Sequence, residues 1–190
     1  EFAGGGGTLA GRLRGITADA CAIAEPTNEE VLRASRGGHF FDVVCRAGDP
    51  SAYFSKDEVV SPAVPMGRLL GWIDAWTARR RQVDRGDAYR DFPDPAPVQV
   101  LALEANRFDP DIPWSVPLEA RVRVYFQFLP QEDVGAHVAE IEASLRDFAV
   151  ADPFFREHPL EVHRLVERVG GITRRGRGSA TVRARCRAAA

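Results

Sequence analysis

The side chains best suited to chemistry in this sequence are four histidines, and their spacing is unlike that of a catalytic or metal site. They are His39, His137, His158 and His163. No His-Glu-x-x-His pair occurs, and none of the four stands at helical spacing from a carboxylate together with a second ligand. We expect His39 on a strand, His137 on the exposed side of a helix and His158 in the turn before a proline. Each is therefore predicted to be structural or solvated.

Other motifs that carry chemistry are also missing. The three cysteines, Cys21, Cys45 and Cys186, are far apart and form no Cys-x-x-Cys pair, which predicts reduced thiols in a cytoplasmic protein. No Gly-x-Ser-x-Gly elbow occurs. The glycine run 4–7 precedes a short helix beginning near Thr8 and could cradle a phosphate. Because no Gly-Lys-Ser/Thr follows it, a plain loop is favoured. The residues alone thus make no complete active site.

Composition bounds the class of protein. The 190 residues are 45% hydrophobic and 27% charged with a net charge of −2, as expected for a globular domain with its own core. No apolar run approaches the ~18 residues of a membrane span, and no signal peptide is recognisable. The chain starts at Glu1 and its one methionine is Met66. We therefore expect a cytoplasmic protein that is a fragment, a processed product or a recombinant excerpt.

The strongest pattern runs from residue 116 to residue 159. Apolar residues recur at every second position up to Phe128, which predicts a strand with one buried face, and Pro130 ends it. From Asp133 the period changes to that of an amphipathic helix. Its buried stripe is Val134, Val138, Ile141, Leu145 and Phe148.

Weaker patterns supply the remaining elements. They predict strands within 31–47, 98–105 and 160–166, and a helix opening at Ser61 and Pro62. The order strand, helix, strand, strand, helix, strand predicts an α+β fold. Its sheet has four antiparallel strands with two helices on one face, the ferredoxin-like β-α-β-β-α-β plan. That plan hosts many functions, so it names none.

The last stretch, 167–190, loses all apolar periodicity. From Arg164 onward eight arginines stand against the single acid Glu167. Three interpretations remain open: a basic arm for nucleic acid, a disordered end, or a GC-rich sequence translated out of frame.

Five short motifs, in order, resemble a known family. They are Glu1-Phe-Ala-Gly-Gly-Gly-Gly-Thr-Leu-Ala; Ala18-Asp-Ala leading to Glu25-Pro-Thr and Ala34-Ser-Arg-Gly; Trp114-Ser-Val-Pro; Phe128-Leu-Pro-Gln-Glu-Asp; and Asp152-Pro-Phe-Phe-Arg-Glu-His-Pro. Over about residues 1–165 the chain resembles the zinc-dependent aminoacylase, acetylornithine deacetylase and succinyl-diaminopimelate desuccinylase family of metallohydrolases.

The resemblance implies a division of the chain. Residues 1–32 would be a remnant of the α/β catalytic domain, 33–166 the lid and dimerisation domain, and 167–190 a tail. In the complete enzyme two zinc ions would activate water to hydrolyse the amide of a small N-acyl amino acid. Glu25 and Glu1 match zinc ligands, although Glu25 by itself also fits a solvated turn carboxylate beside a proline. The lid would form a homodimer.

The chain departs from the family at several positions. The His-x-Asp motif, the bridging Asp, the general-base Glu and the last metal-binding His have no counterpart here, so no catalytic residue is assigned. Tyr53 lies near the expected oxyanion-binding histidine, and Gln127 takes the place of a substrate-binding arginine, which removes a bidentate carboxylate clamp. Asn106 is a further substrate-binding candidate. We expect this chain to be inactive alone.

A hypothesis from another class is a free-standing ferredoxin-like module that binds a protein or RNA with its basic tail. The predicted sheet lacks the aromatic-rich strands of an RNA-recognition domain. Nucleic acid is therefore the less favoured partner, and no membrane partner is expected.

Overall fold

The computed structural model of the chain describes residues 6–17, 34–47, 60–105, 116–168 and 170–172. The chain forms two compact units, Glu1–Leu32 and Arg33–Ala190. In the first unit the described element is helix α1, Gly6–Leu13, followed by a turn in which Gly15 has a φ of 82°. A left-handed φ of this kind is one that glycine adopts without steric cost.

The second unit contains a four-stranded antiparallel sheet in the order β3-β4-β2-β5. The predicted α+β class is confirmed, and the succession of its main elements follows the predicted plan. The short elements β1, α4 and β6 were not predicted, and β1 pairs with β6 as a separate two-stranded ladder. The elements are β1 Ala34–Ser35, β2 Gly37–Arg46, α2 Ala63–Arg80, β3 Val98–Glu104, β4 Glu119–Phe128, α3 Val134–Ala151, α4 Pro153–Glu157, β5 Glu161–Arg168 and β6 Gly171–Ile172.

Both long helices cover the same face of the sheet. The central strands β2 and β4 pair over ten positions, from Gly37 opposite Phe128 to Arg46 opposite Glu119. Their alternate residues enter one core together with residues of α2 and α3, because side chains at every second strand position share a face. The strand members are Phe41, Val43, Cys45, Ala120, Val122, Val124 and Phe126, and the helix members include Leu69, Ile73, Trp76, Val138, Ile141 and Leu145.

The ends of the elements differ from the sequence prediction in small ways. Helix α2 begins at Ala63, after Pro62, and the Ser61 hydroxyl accepts a hydrogen bond from the Ala63 amide at 3.3 Å. Helix α3 begins where predicted, because the Asp133 carboxylate accepts from the Ala136 amide at 2.7 Å. Strand β4 starts at Glu119, later than the alternation suggested.

The last strand of the sheet extends past residue 166, where the sequence predicted that it ends. Strand β5 runs to Arg168, and β6 follows at Gly171–Ile172. The apolar pattern is weak here because every described side chain of β5 is exposed. None of the helices in the described ranges is long and apolar enough to cross a membrane.

Two glycines at the start of β2 allow aromatic rings of β4 to lie on the backbone. A Cβ on Gly37 would stand 2.1 Å from Cζ of Phe128, and a Cβ on Gly38 would stand 2.3 Å from Cε2 of Tyr125. Real Cβ atoms do not approach other atoms so closely. Glycine is therefore required at both positions by close contact with the opposite strand.

We predict that Gly38→Ala destabilises the fold by about 1–3 kcal/mol, because the methyl group must displace the Tyr125 ring from its packed position. Gly67→Ala is the matched control, since nothing lies within 4 Å of a Cβ at this exposed position in α2. The control should stabilise by about 0.5–1 kcal/mol. Urea unfolding measures both, and equal effects of the two substitutions would contradict the packing described here.

Candidate functional site

One of the five predicted site residues lies in the described part of the chain. Gln127 is in β4, next to the end of the strand. Glu1, Glu25, Tyr53 and Asn106 lie outside the described residues. Their proposed roles therefore stay predictions.

Gln127 shares the face of the sheet opposite the helices, here called the polar face. From β2 and β4 this face carries Phe40, Asp42, Val44, Arg46, Arg121, Arg123, Tyr125 and Gln127, which alternate with the core residues. Charged side chains thus occupy one end of the face. An aromatic pair and Gln127 occupy the other.

The environment of Gln127 is enclosed. The residue is 9% exposed and stands opposite Gly38, and its backbone N–H donates to the Pro97 carbonyl at 3.2 Å. Beside it on the same face the rings of Tyr125 and Phe40 stack at 4.2 Å. An amide side chain both donates and accepts hydrogen bonds. This end of the polar face can therefore recognise a neutral polar group next to an apolar one.

A bidentate ion pair crosses the middle of the polar face. Nε and Nη2 of Arg123 donate to the two carboxylate oxygens of Asp42 at 2.7 and 2.8 Å. Asp42 is buried, and the hydrogen bond from Arg123 holds the pKa of its carboxyl below the usual range despite that burial. The pair therefore fixes Asp42 in its charged form.

A second group of charges lies at the far end of the same face. Arg46 pairs with Glu119 at 2.8 Å and also donates to Glu161 of β5, and His163 is 3.5 Å from Glu161. The hydrogen bond from Arg46 lowers the pKa of Glu161. All of these side chains are exposed, and such networks add little to stability.

Within the described residues no three His, Cys, Asp or Glu side chains converge as a metal site would require. A structural zinc site takes four such ligands, and a catalytic one takes three plus water. The described part of the chain therefore offers no zinc site of its own. Any zinc would need ligands from outside these residues.

Cys45 is not a nucleophile in this structure. Its thiol is free and buried in the core, and Sγ donates to the His158 carbonyl at 3.7 Å. Burial, with a smaller contribution from Glu161, raises its pKa to about 11. Because the thiolate is the reactive form, Cys45 is a packing residue.

The position of His137 corrects the sequence prediction. It was expected on the exposed side of α3, but it is 4% exposed. His39 lies on β2 as predicted and is fully buried, and the two imidazole centroids are 5.9 Å apart. The signal was present in the sequence, since His137 stands three residues after Val134 and four before Ile141, at the spacing of the buried stripe.

A groove of about 480 Å³ lies on the helix layer, between α3, α4 and the start of β5. Its floor is apolar, and Arg146, Arg156 and Glu142 are the charged residues that line it. No histidine, cysteine or serine is among the lining residues. The floor residues are Leu145, Ala149, Phe155, Leu160 and Val162. The groove can hold an apolar side chain, and Glu142 is the one carboxylate among its lining residues.

No family model matches the chain, and no curated protein matches it. Solved structures do. A hydantoinase/carbamoylase family amidase from Burkholderia ambifaria matches with a TM-score of 0.55 and 11% identity, over 83% of this chain and 34% of its own. A Burkholderia cenocepacia protein named as an amidohydrolase/peptidase matches with a TM-score of 0.53 and 18% identity, over the same shares of both chains.

Human carnosine dipeptidase 1 also matches, with a TM-score of 0.50 and 12% identity, over 75% of this chain and 38% of its own. The chain shares its fold with part of these amidases and peptidases. It spans about a third of their length. Identities this low establish the fold and leave the activity to be tested.

We predict that Arg123→Met destabilises the protein more than Arg121→Met, although the two residues lie on the same face of the same strand. The first substitution leaves the buried Asp42 carboxylate without its partner, whereas Arg121 bonds the exposed Glu119 at 3.2 Å. The measurement is the free energy of unfolding at pH 7.

The pH dependence gives the control. Because the folded pKa of Asp42 is below its unfolded value, this pair stabilises the protein above pH ~4 and the contribution is lost as the pH falls further. Arg123→Met should therefore lose less stability than the wild type between pH 5 and pH 3. A parallel loss in the two proteins would show that Asp42 does not depend on Arg123.

Proposed function

We propose that residues 33–166, which belong to the unit Arg33–Ala190, are the lid and dimerisation domain of a metal-dependent amidohydrolase. The observation that supports this most is the match of this chain, over 83% of its length, to a segment that makes up about a third of the amidases. The complete enzyme would act on a small N-acyl amino acid. Its two zinc ions would activate water, and Glu25 and Glu1 are the ligands that this chain would contribute.

Gln127 is the described residue that we propose contacts substrate. Many members of the family that the sequence resembles place an arginine at this position. Glutamine carries no charge, so it cannot neutralise a carboxylate but can bond an amide or ureido group on both its C=O and N–H sides. The adjacent stack of Phe40 and Tyr125 fits an apolar substituent. We propose a substrate whose recognised group is neutral.

The polar face gives little support to the alternative of an RNA-binding module. Arg46, Arg121 and Arg123 each bond a carboxylate of the chain. Phosphate binding requires cations that release counterions on contact with the backbone. Arginines already held in ion pairs would have to give up those bonds first.

We propose that the lid pairs with a second copy through the edge strand β3. Its sequence, Val-Gln-Val-Leu-Ala-Leu-Glu, has one charge, and Val100, Leu101 and Leu103 are exposed. Strand β5 at the opposite edge carries Glu161, His163, Arg164, Glu167 and Arg168. Charged edge strands resist pairing, whereas an exposed aliphatic edge invites it. Both edge strands have an irregularity in their register with the neighbouring strand, so this feature does not make one edge more prone to pairing than the other.

For activity, we predict that the purified chain does not hydrolyse N-acetyl or N-carbamoyl amino acids, with or without added Zn²⁺. The described residues hold no metal-binding cluster, and two carboxylates fall short of a zinc site. Product amine released over hours is the measurement, with a full-length amidase as the positive control. Metal-dependent turnover that resists further purification would overturn the proposed role as a lid.

For assembly, we predict a dimer at high micromolar concentration, and we predict that Leu101→Lys makes it monomeric by placing a charge on the β3 edge. Leu165→Lys is the matched control, because Leu101 and Leu165 are 49% and 45% exposed and each lies at the irregularity of its edge strand. Sedimentation velocity should show loss of the dimer in the first variant alone. A wild type that stays monomeric, or a dimer lost through Leu165→Lys, would refute pairing through β3.

A further inference from the structure

The core of the second unit contains a cluster of three rings, here called the histidine latch, made of His39, Phe128 and His137. The His39 ring stacks on the Phe128 ring with a centroid distance of 5.1 Å. The centroid of the His137 ring lies 5.6 Å from that of Phe128. Phe128 in turn rests on Gly37, where a Cβ would meet its ring at 2.1 Å. The latch therefore joins β2, β4 and the first turn of α3.

The imidazoles of the latch are buried, and three of their four ring nitrogens have no hydrogen-bond partner among the described residues. His39 is 0% exposed and His137 is 4% exposed. Both ring nitrogens of His39 and Nε2 of His137 have no partner among the described residues. A buried polar group that lacks a partner costs free energy, and an unpaired buried charge costs far more. Burial therefore favours the neutral form of both imidazoles in the folded protein.

The charged groups around the latch do not offset this. From β5, Glu167 approaches Nδ1 of His39 at 3.9 Å, too far for a hydrogen bond, and Arg164 acts against protonation. From α2, Arg80 is buried and bonds Glu132 at 2.7 and 2.6 Å. Glu132 also accepts from the Leu129 amide at 2.6 Å, so each of its carboxylate oxygens already accepts at least one hydrogen bond. The carboxylates that face the latch are thus Glu167, which is partly exposed, and Glu132, which is already paired with Arg80.

Burial is the main cause of the resulting shifts, and it lowers the pKa of both histidines. It lowers the pKa of His137 to about 4, with Arg80 and His39 acting in the same direction and Glu132 against them. Burial lowers the pKa of His39 as well; the negative charge of Glu167 raises this pKa, and the positive charge of Arg164 lowers it further.

We propose that His39 and His137 form an acid-sensitive latch, in which protonation of either ring releases Phe128 and opens this end of the sheet. The structure next to the latch is suited to such an opening. The short β1–β6 ladder lies next to the latch, because Gly37 comes directly after β1 and Arg36 in the chain. Gly170, which precedes β6, also lies close to Gly37: a Cβ added to Gly170 would be 2.7 Å from the backbone nitrogen of Gly37. The inference does not depend on the proposed enzymatic role.

The sign of the pH effect follows from linkage. A histidine whose folded pKa lies below its unfolded value of 6.5 stabilises the fold above that value, and the contribution is lost as the pH falls toward the folded pKa. For His137 the ratio of folded to unfolded protein should fall about 20-fold between pH 7 and pH 5. The His39 contribution adds to this in the same direction.

The first measurement is the chemical unfolding of the full chain between pH 7 and pH 5. We compare the wild type with His39→Phe, with His137→Leu and with the exposed control His163→Gln. The latch variants should each lose most of their own histidine's share of the pH dependence, and the control should behave as the wild type. A pH dependence that is unchanged in both latch variants would overturn the proposal.

A second measurement needs no variant. Titration of the wild-type imidazole signals by NMR should show the two latch histidines uncharged at pH 5.5. Amide exchange at pH 5 should then show protection lost around Gly38–Phe41 and Phe126–Phe128 before it is lost at Ile73 in α2. Latch histidines that titrate near 6.5 in the folded protein, or uniform loss of protection, would overturn the latch even if the variants fail to fold.

Discussion

The structure depends on the contact between two glycines of β2 and two aromatic rings of β4. Phe128 rests on Gly37, and Tyr125 rests on Gly38. If β2 slipped by one residue against β4, the aromatic rings would meet side chains instead of glycines. Every core residue of the slipped strand would then turn to the other face of the sheet. The contact therefore fixes the register of the central pair. That register decides which face receives α2 and α3 and which becomes the polar face.

The order of the main strands and helices of the second unit could be predicted because the apolar period changes sharply within a short stretch. Alternation up to Phe128 and the helical stripe from Val134 leave little freedom, and the Asp133 cap marks the junction. The ends of strands were harder, because β5 is exposed on both faces and has no apolar alternation. The burial of His137 was missed because a polar residue type was given more weight than its spacing.

The candidate site was less predictable than the fold. Gln127 was identified through family resemblance, since an isolated glutamine on a strand has no chemical signature of its own. The ion pair of Asp42 and Arg123 joins residues 81 positions apart, and no local pattern reveals such a pairing. The same holds for Arg80 and Glu132, which are 52 positions apart.

The two edges of the sheet differ in chemical character. The β3 edge is aliphatic, whereas the β5 edge is charged and borders the apolar groove of α3 and α4. In the proposed homodimer, this asymmetry would let one edge associate with a second copy while the other stays solvated. The proposed lid would need both properties, because it would have to join two subunits without joining sheets into an open array.

The most direct test of the lid assignment is amide hydrogen exchange of β3 measured as a function of protein concentration. The β3 amides that β4 does not bond should gain protection as the concentration rises, while the β5 edge exchanges at a constant rate. This result would place the association at β3. Rapid exchange of these β3 amides at every concentration, or protection that grows at β5 instead, would contradict the account.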